Sequence, residues 1–330
     1  AQHRGGRGII GMGTKDEDFI ENVIAVNSHS YLLMFTNTGK VQAKKAYYIP
    51  EAGRTAKGQN LVNILELEEG EKITACISVD AFDEEHYLTM VTRRGVIKRT
   101  PLKEYEYQRK GGKIALNLDE GDELLFVRCT TGDCELMLAT RNGQAVRFRE
   151  ENARVMGRTA RGVRGISLRD GDEVVGVAVI EEGKELLCVT ENGFGKRSPF
   201  DDFRLMAHRG GFGVTCYNIT EKSGALTGIS AVDDNDDLML ITDGGTIIRT
   251  PVAGIPTRSR SAGGVIIMKM ADGQKIANFT KVAHAEESEE AEENEEAPET
   301  DVTEPVDMTD ADAAEPEAPE APEAPEEDHE

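Results

Sequence analysis

Two arginines set among three glycines stand at the start of the chain, in Gln2-His3-Arg4-Gly5-Gly6-Arg7-Gly8. Glycines let the backbone bend tightly or approach a partner closely, while two guanidiniums offer planar forks of donors, a build suited to gripping phosphate. Such a segment alone is more often a flexible terminus. Its weight comes from weaker copies downstream: Arg54-Thr55-Ala56-Lys57-Gly58, Lys110-Gly111-Gly112-Lys113, Arg158-Thr159-Ala160-Arg161-Gly162, Arg209-Gly210-Gly211-Phe212-Gly213 and Arg260-Ser261-Ala262-Gly263-Gly264. The leading bases stand at 4, 54, 110, 158, 209 and 260, in steps of 50, 56, 48, 51 and 51. Chance does not keep such a period.

Other chemistry finds no support. Gly8 to Lys15 has the glycines of a phosphate loop, but Thr14-Lys15 stands where Lys then Thr is needed. The six histidines never pair at metal-ligand spacing, and no Gly-x-Ser-x-Gly segment occurs. Acidic pairs such as Asp201-Asp202 and Asp236-Asp237 read as solvated turn residues rather than a general acid and base. No catalytic residue, metal site or cofactor is expected in this fragment. With no Trp and only 17 Phe and Tyr, mostly in strand-like runs, platforms for unstacked bases are not expected.

The elements that position the boxes repeat in phase with them. Thr36-Asn37-Thr38-Gly39, Thr92-Arg93-Arg94-Gly95, Thr140-Arg141-Asn142-Gly143, Thr190-Glu191-Asn192-Gly193 and Thr242-Asp243-Gly244-Gly245 each follow an apolar run and precede a short segment ending in a base. Each reads as a hairpin turn between two strands. Bases gather on these hairpins: Lys44 and Lys45, Arg93 and Arg94, Lys98 and Arg99, Arg141 and Arg147, Lys196 and Arg197, and Arg249. An acidic glycine turn follows each box by about a dozen residues, at Gly70, Gly121 and Gly171 and, degraded, at Gly224 and Gly273. Three markers in one order at one period predict an all-β array of propeller-like blades. If each unit places bases and acids at opposite ends, the array has a basic rim and an acidic one.

The repeat joins residues 1–284 into one expected domain. Residues 285–330 carry 22 Asp and Glu and no Lys or Arg, with Glu-Ala-Pro units near the end. Such a composition cannot bury enough apolar surface to fold and predicts a disordered acidic tail. The net charge of −23 is therefore mostly the tail's; the array keeps 39 acidic against 38 basic residues. The five cysteines are odd in number and lack Cys-x-x-Cys spacing, so they read as buried thiols of a reducing compartment. Without a signal peptide or a membrane-length apolar run, the expected location is cytoplasmic. Bases one repeat apart would track duplex phosphates, supplying affinity without reading sequence.

Residues 1 to about 280 also resemble a known family. Gln2–Gly8 is similar to the box of the DNA gyrase A carboxy-terminal domain, usually Gln-Arg-Arg-Gly-Gly-Lys/Arg-Gly, and the repeats with their Thr-x-x-Gly turns look like that domain's β-pinwheel. The resemblance implies six four-stranded blades whose basic perimeter bends duplex DNA. In that family the box allows the wrap by which gyrase introduces negative supercoils. It also implies partners, namely the rest of gyrase A and, through it, gyrase B in a heterotetramer, and ATP with Mg2+ for the holoenzyme. The breakage-reunion domain would lie upstream. His3 departs from the pattern, and the hairpin expected before the first box lies outside the chain, so the first blade is expected to be incomplete. The corresponding domain of topoisomerase IV, usually with a degenerate box, and a protein-binding propeller are the alternatives.

Overall fold

The computed structural model describes residues 9–10, 26–51, 59–107, 111–271 and 273–283. The box Gln2–Gly8, Arg54, Lys57, Lys110 and the acidic segment lie outside them. Two units divide the chain, Ala1–Ala285 and Glu286–Glu330, and the described residues all belong to the first.

The described residues form five antiparallel-based sheets, with only short 3-10 turns as helix. Blade I joins the hairpin Tyr31–Thr36 and Lys40–Lys45 to an inner strand Ile73–Val79 and an outer strand Lys113–Ile114. Blade II has the hairpin Tyr87–Thr92 and Val96–Pro101, inner strand Leu124–Thr130 and outer strand Val163–Arg164. Blade III has Glu135–Thr140 and Gln144–Arg149, inner Val174–Ile180 and outer Val214–Thr215, plus the parallel pair Leu205–Met206. Blade IV has Glu185–Thr190 and Phe194–Pro199, inner Leu226–Val232 and outer Val265–Ile266. Blade V has Asp236–Thr242 and Thr246–Pro251, inner Ile276–Ala283 and, from the start of the chain, outer Ile9–Ile10. The sixth blade of the sequence expectation is not among the five.

In blades I to IV the outer strand comes from the box region that follows the next hairpin along the chain, so these boxes reach back across one blade, and blade V takes its outer strand from the start of the chain. Inner strands of successive blades pack in order from I to V, making a propeller-like ring. Four apolar clusters lie between consecutive blades; Leu33 and Phe35 meet Leu88 and Met90 between I and II, for example. Both faces of a blade are thus covered, which is why first hairpin strands such as Leu136–Ala139 are buried throughout instead of alternating.

The threonine of each turn motif is at most 1% exposed. In four blades its hydroxyl accepts the N–H four residues on, from Lys40, Val96, Gln144 and Thr246, at 3.0–3.3 Å. A register shift in the pairing with the inner strand falls beside this residue in every blade. The turn glycine takes positive φ, from 74° to 81° in the five copies, as a tight hairpin demands. The sequence therefore marks the hairpins correctly. All five cysteines are free thiols, but only Cys188 and Cys216 are buried as expected; Cys76 and Cys134 are half-buried and Cys129 is exposed.

Candidate nucleic-acid interface

The box region is built by register. The first outer-strand residue always pairs two residues past a turn glycine: Lys113 with Val41, Val163 with Ile97, Val214 with Ala145, Val265 with Gly195 and Ile9 with Ile247. The last box glycine precedes that residue, at 8, 112, 162, 213 and 264. A Cβ on Gly112, Gly162, Gly213 or Gly264 would stand 2.3–2.8 Å from a carbonyl oxygen of the adjoining hairpin strand. Only glycine lets the box lie this close, whatever the box goes on to bind. This register also corrects the third copy: it ends at Gly112 and starts at Gln108, so Lys113 is a strand residue. Counted on the last glycine, Gly58 included, the steps become 50, 54, 50, 51 and 51.

The leading arginine of a box stitches one outer strand to the next. Arg158 Nη1 donates to the Ile114 carbonyl at 3.1 Å, Arg209 Nη1 to that of Arg164 at 2.7 Å and Arg260 Nη1 to that of Thr215 at 3.0 Å. These three acceptors occupy equivalent positions. From beneath, buried lysines hold the box backbone. Lys196 Nζ donates to the Ser259 and Arg260 carbonyls, both at 2.7 Å, and Lys98 Nζ donates to the Ala115 carbonyl at 2.5 Å and to that of Arg158. Both lysines are 0% exposed. Burial, followed by the charge of Arg158, pushes the Lys98 ammonium down to about 7, and burial likewise lowers Lys196.

The hairpin arginines do not point outward as expected. Arg99 is 8% exposed, donates to the Gly132 carbonyl and lies 3.9 Å from the buried Glu150. Arg147 pairs with Glu135 at 2.7 Å and donates to the Phe200 and Phe203 carbonyls of the next blade's 3-10 turn. Arg197 donates to the Ile255 carbonyl and pairs with Asp234 and Glu185. Arg249 pairs at 2.7 Å with Asp237, a carboxylate that is 0% exposed and not the solvated turn residue expected. These cations sit one residue past Lys98 or its equivalents, where both sheet faces are covered, so a guanidinium must take partners from the protein.

The two expected rims also collapse into one end. Each acidic glycine turn lies against the hairpin turn of its own blade: Asp122 Oδ1 accepts from the Arg94 N–H and Asp172 Oδ1 from the Asn142 N–H, both at 3.0 Å. In blade I, Glu71 accepts from Thr36 and Thr38; these bonds, the Glu68 N–H and the Lys40 charge outweigh burial and hold its carboxyl below the usual range. Arg93 reaches Glu123 at 3.0 Å and Glu173 at 3.5 Å, Arg141 reaches Glu173 and Glu191, and Arg94 donates to the Glu120 carbonyl. Arg93 and Arg141 are thus neutralised where they stand, while Arg94 is exposed and its guanidinium meets only that carbonyl among the described residues. Lys45 donates to the His29 carbonyl and stacks 3.6 Å above the Tyr31 ring, and Lys44 is half-buried beside it.

An exposed set of bases lies on the box loops. Arg161 keeps a side chain 72% exposed although Asp119 is 3.1 Å away. Arg154, Arg164, Arg204 and Arg258 are also exposed, and among the described residues no carboxylate pairs with them. The box pattern passed over these four. Their signal was register: Arg154 and Arg204 each follow a buried residue, Ala153 and Phe203, that closes the 3-10 turn. The loops run along the outer edges of the blades, so this unpaired charge lies on the perimeter. Such a chain of guanidinium forks suits a repeating anion rather than a single small one. No group of acids, cysteines and histidines among the described residues is arranged to hold a metal, and none of their helices is long and apolar enough to cross a membrane.

Comparison with known proteins gives a consistent result. The chain matches the family described as "DNA gyrase C-terminal domain, beta-propeller" over residues 1–27, 30–80, 86–131, 135–181, 184–233 and 236–283. Among curated proteins it is 44% identical to DNA gyrase A of Staphylococcus epidermidis over 291 residues, covering 87% of this chain and 32% of that protein. With DNA gyrase A of Staphylococcus aureus it shares 43% over 290 residues, covering 87% and 33%. The chain thus spans about a third of the length of these relatives. A solved structure of the DNA gyrase A C-terminal domain superposes with a TM-score of 0.77 at 27% identity, covering 85% of this chain and 92% of that one. The C-terminal domain of DNA topoisomerase IV gives 0.71 at 28%, covering 82% and 84%.

Proposed function

The chain belongs to the DNA gyrase C-terminal domain family, and from that premise we propose that it binds duplex DNA along its box-loop perimeter and bends it without reading sequence. The observation that carries this reading is the exposure of Arg154, Arg161, Arg164, Arg204 and Arg258 along the blade edges, while the hairpin-strand arginines are buried or paired and the turn bases Arg93 and Arg141 meet carboxylates. Phosphate contacts spaced by the blades would offset a bending cost on the order of 1–6 kcal/mol for 20–30 base pairs. Bending around the perimeter presents a following duplex segment with a fixed crossing sign.

The full array has six blades in this reading. The outer strands after Gly112, Gly162, Gly213 and Gly264 each pair with the blade before their own hairpin, and by the same rule Arg54–Gly58 calls for a sheet beyond blade I. Ile49 supports this: its counterparts Tyr105, Ala153, Phe203 and Ile255 are at most 2% exposed, whereas Ile49 is half-buried. In the longer protein the domain would serve an ATP- and Mg2+-dependent type II topoisomerase together with gyrase B. The topoisomerase IV role is the second reading, favoured by the near-equal structural likeness of the two solved domains.

The test is to bind the chain to relaxed, nicked circular DNA, reseal it and resolve the topoisomers. A shifted linking number is expected, and Arg4→Ala with Arg7→Ala should abolish the shift more severely than it lowers affinity. Binding with no shift would leave an adhesive surface only. The acidic segment 285–330 would act as a tethered competitor for the same bases. Ending the chain at His284 should then tighten binding, chiefly at low salt.

A further inference from the structure

The inner strands of blades II to V line a partly open cavity of about 530 Å³, and a second of about 190 Å³ shares Arg128, Ile229, Ser230 and Lys281 with it. Arg128 comes from the inner strand of blade II and Lys281 from that of blade V, so two cations from distant parts of the chain face one space. Among the described residues the Arg128 guanidinium donates to the carbonyl of its own neighbour, Val127, at 2.9 Å. Four of the five N–H donors of that guanidinium are thus left for something else. Burial alone pushes its pKa down, with no carboxylate acting on it. Lys281 lies 3.7 Å from Asp236 and close to Lys184, which is itself held by Glu181 at 2.5 Å. Three cations against two carboxylates leave the wall one positive charge in excess.

A half-enclosed guanidinium without a counterion is costly, because the desolvated charge has nothing to compensate it. A tetrahedral oxyanion would supply acceptors in the geometry the fork matches. The volume falls within the range of small-ligand sites, and Ser230 and Thr227 add hydroxyls to the walls. We propose that this central cavity binds a phosphate-class oxyanion between Arg128 and Lys281, a site separate from the perimeter and independent of the DNA reading. It would tie the inner strands of blades II and V together across the ring.

The experiment titrates the full chain with inorganic phosphate at constant ionic strength, read by calorimetry and by the melting temperature. Saturable binding at one site and a rise in Tm are expected. Arg128→Met should weaken phosphate at least tenfold without lowering the Tm measured in its absence, since it removes an uncompensated charge. Lys281→Met, on another blade, should weaken phosphate as well. Arg161→Ala with Arg164→Ala should leave it unchanged, which separates the cavity from phosphate adsorbed on the perimeter. Adenosine monophosphate binding more tightly than phosphate would assign the site to a nucleotide, and equal binding to the free anion. Unaltered phosphate affinity in both Arg128→Met and Lys281→Met, or no saturation in the millimolar range, would overturn the site.

Discussion

Lys98 and Arg164 lie on adjoining strands of blade II, yet they meet opposite fates. Lys98 is fully buried and holds the backbone carbonyls of Ala115 and of Arg158 in the next box. Arg164, paired across from Val96 on the outer strand, is exposed and carries its charge into solvent. The two differ in which neighbour covers them, not in periodicity or in the sign of their charge. A base repeated once per blade is as well suited to stitching blades together as to meeting DNA, and exposure, as in the box-loop set, decides which task is open to it.

The largest effect should come from removing a cation of the buried set. Arg197→Ala would strand Asp234 and Glu185 and leave the Ile255 carbonyl without its donor. The Asp234 and Glu185 side chains are 71% and 24% exposed, so water offsets much of their lost pairing, and the unmet buried carbonyl costs about 1–3 kcal/mol, a loss that chemical denaturation should show. Unchanged stability with weakened DNA binding would restore the outward reading of the hairpin arginines.

The exposed set should respond the other way. Arg154, Arg161, Arg164 and Arg204 changed together to alanine should each shift stability by less than about 0.5 kcal/mol. Plotted as log affinity against log salt, DNA binding should flatten by up to about 0.9 per lost phosphate contact. An unaltered slope in a folded variant would remove the perimeter assignment.

A further test concerns protonation of the buried lysine. Lys98 has a folded pKa of about 7 against an ordinary value of 10.5. Between those values the unfolded chain binds the extra proton, so this group makes stability rise with pH across that window and fall as pH drops toward 7. Lys98→Met should flatten the rise, measured as the difference between urea midpoints at pH 7 and pH 9. An equal rise in both proteins would show that Lys98 stays charged against its carbonyls.

Much of the fold was legible because its signals are local. Thr-x-x-Gly marks a hairpin whose threonine caps the turn and whose glycine supplies positive φ, and neither requirement depends on distant residues. The box glycines were legible as well, though for an unexpected reason: Gly162 and Gly213 are needed where the box lies against a carbonyl of an earlier blade. The site was legible only in part. Arg161, singled out in its box, is exposed, but Arg99 and Arg197, singled out four residues past a turn glycine, are buried.

The sequence by itself determined the all-β repeat, the position of every hairpin and the abundance of bases around the boxes, since period, turn chemistry and composition are properties of the linear chain. The tertiary structure decided which bases are free. The described boxes cross back to the preceding blade, and the acidic turns fold onto their own hairpins, so neutralisation is set between residues such as Arg141 and Glu191, 50 apart, or Arg197 and Asp234, 37 apart. Burial and ion pairing depend on those long-range approaches, which no spacing along the chain encodes.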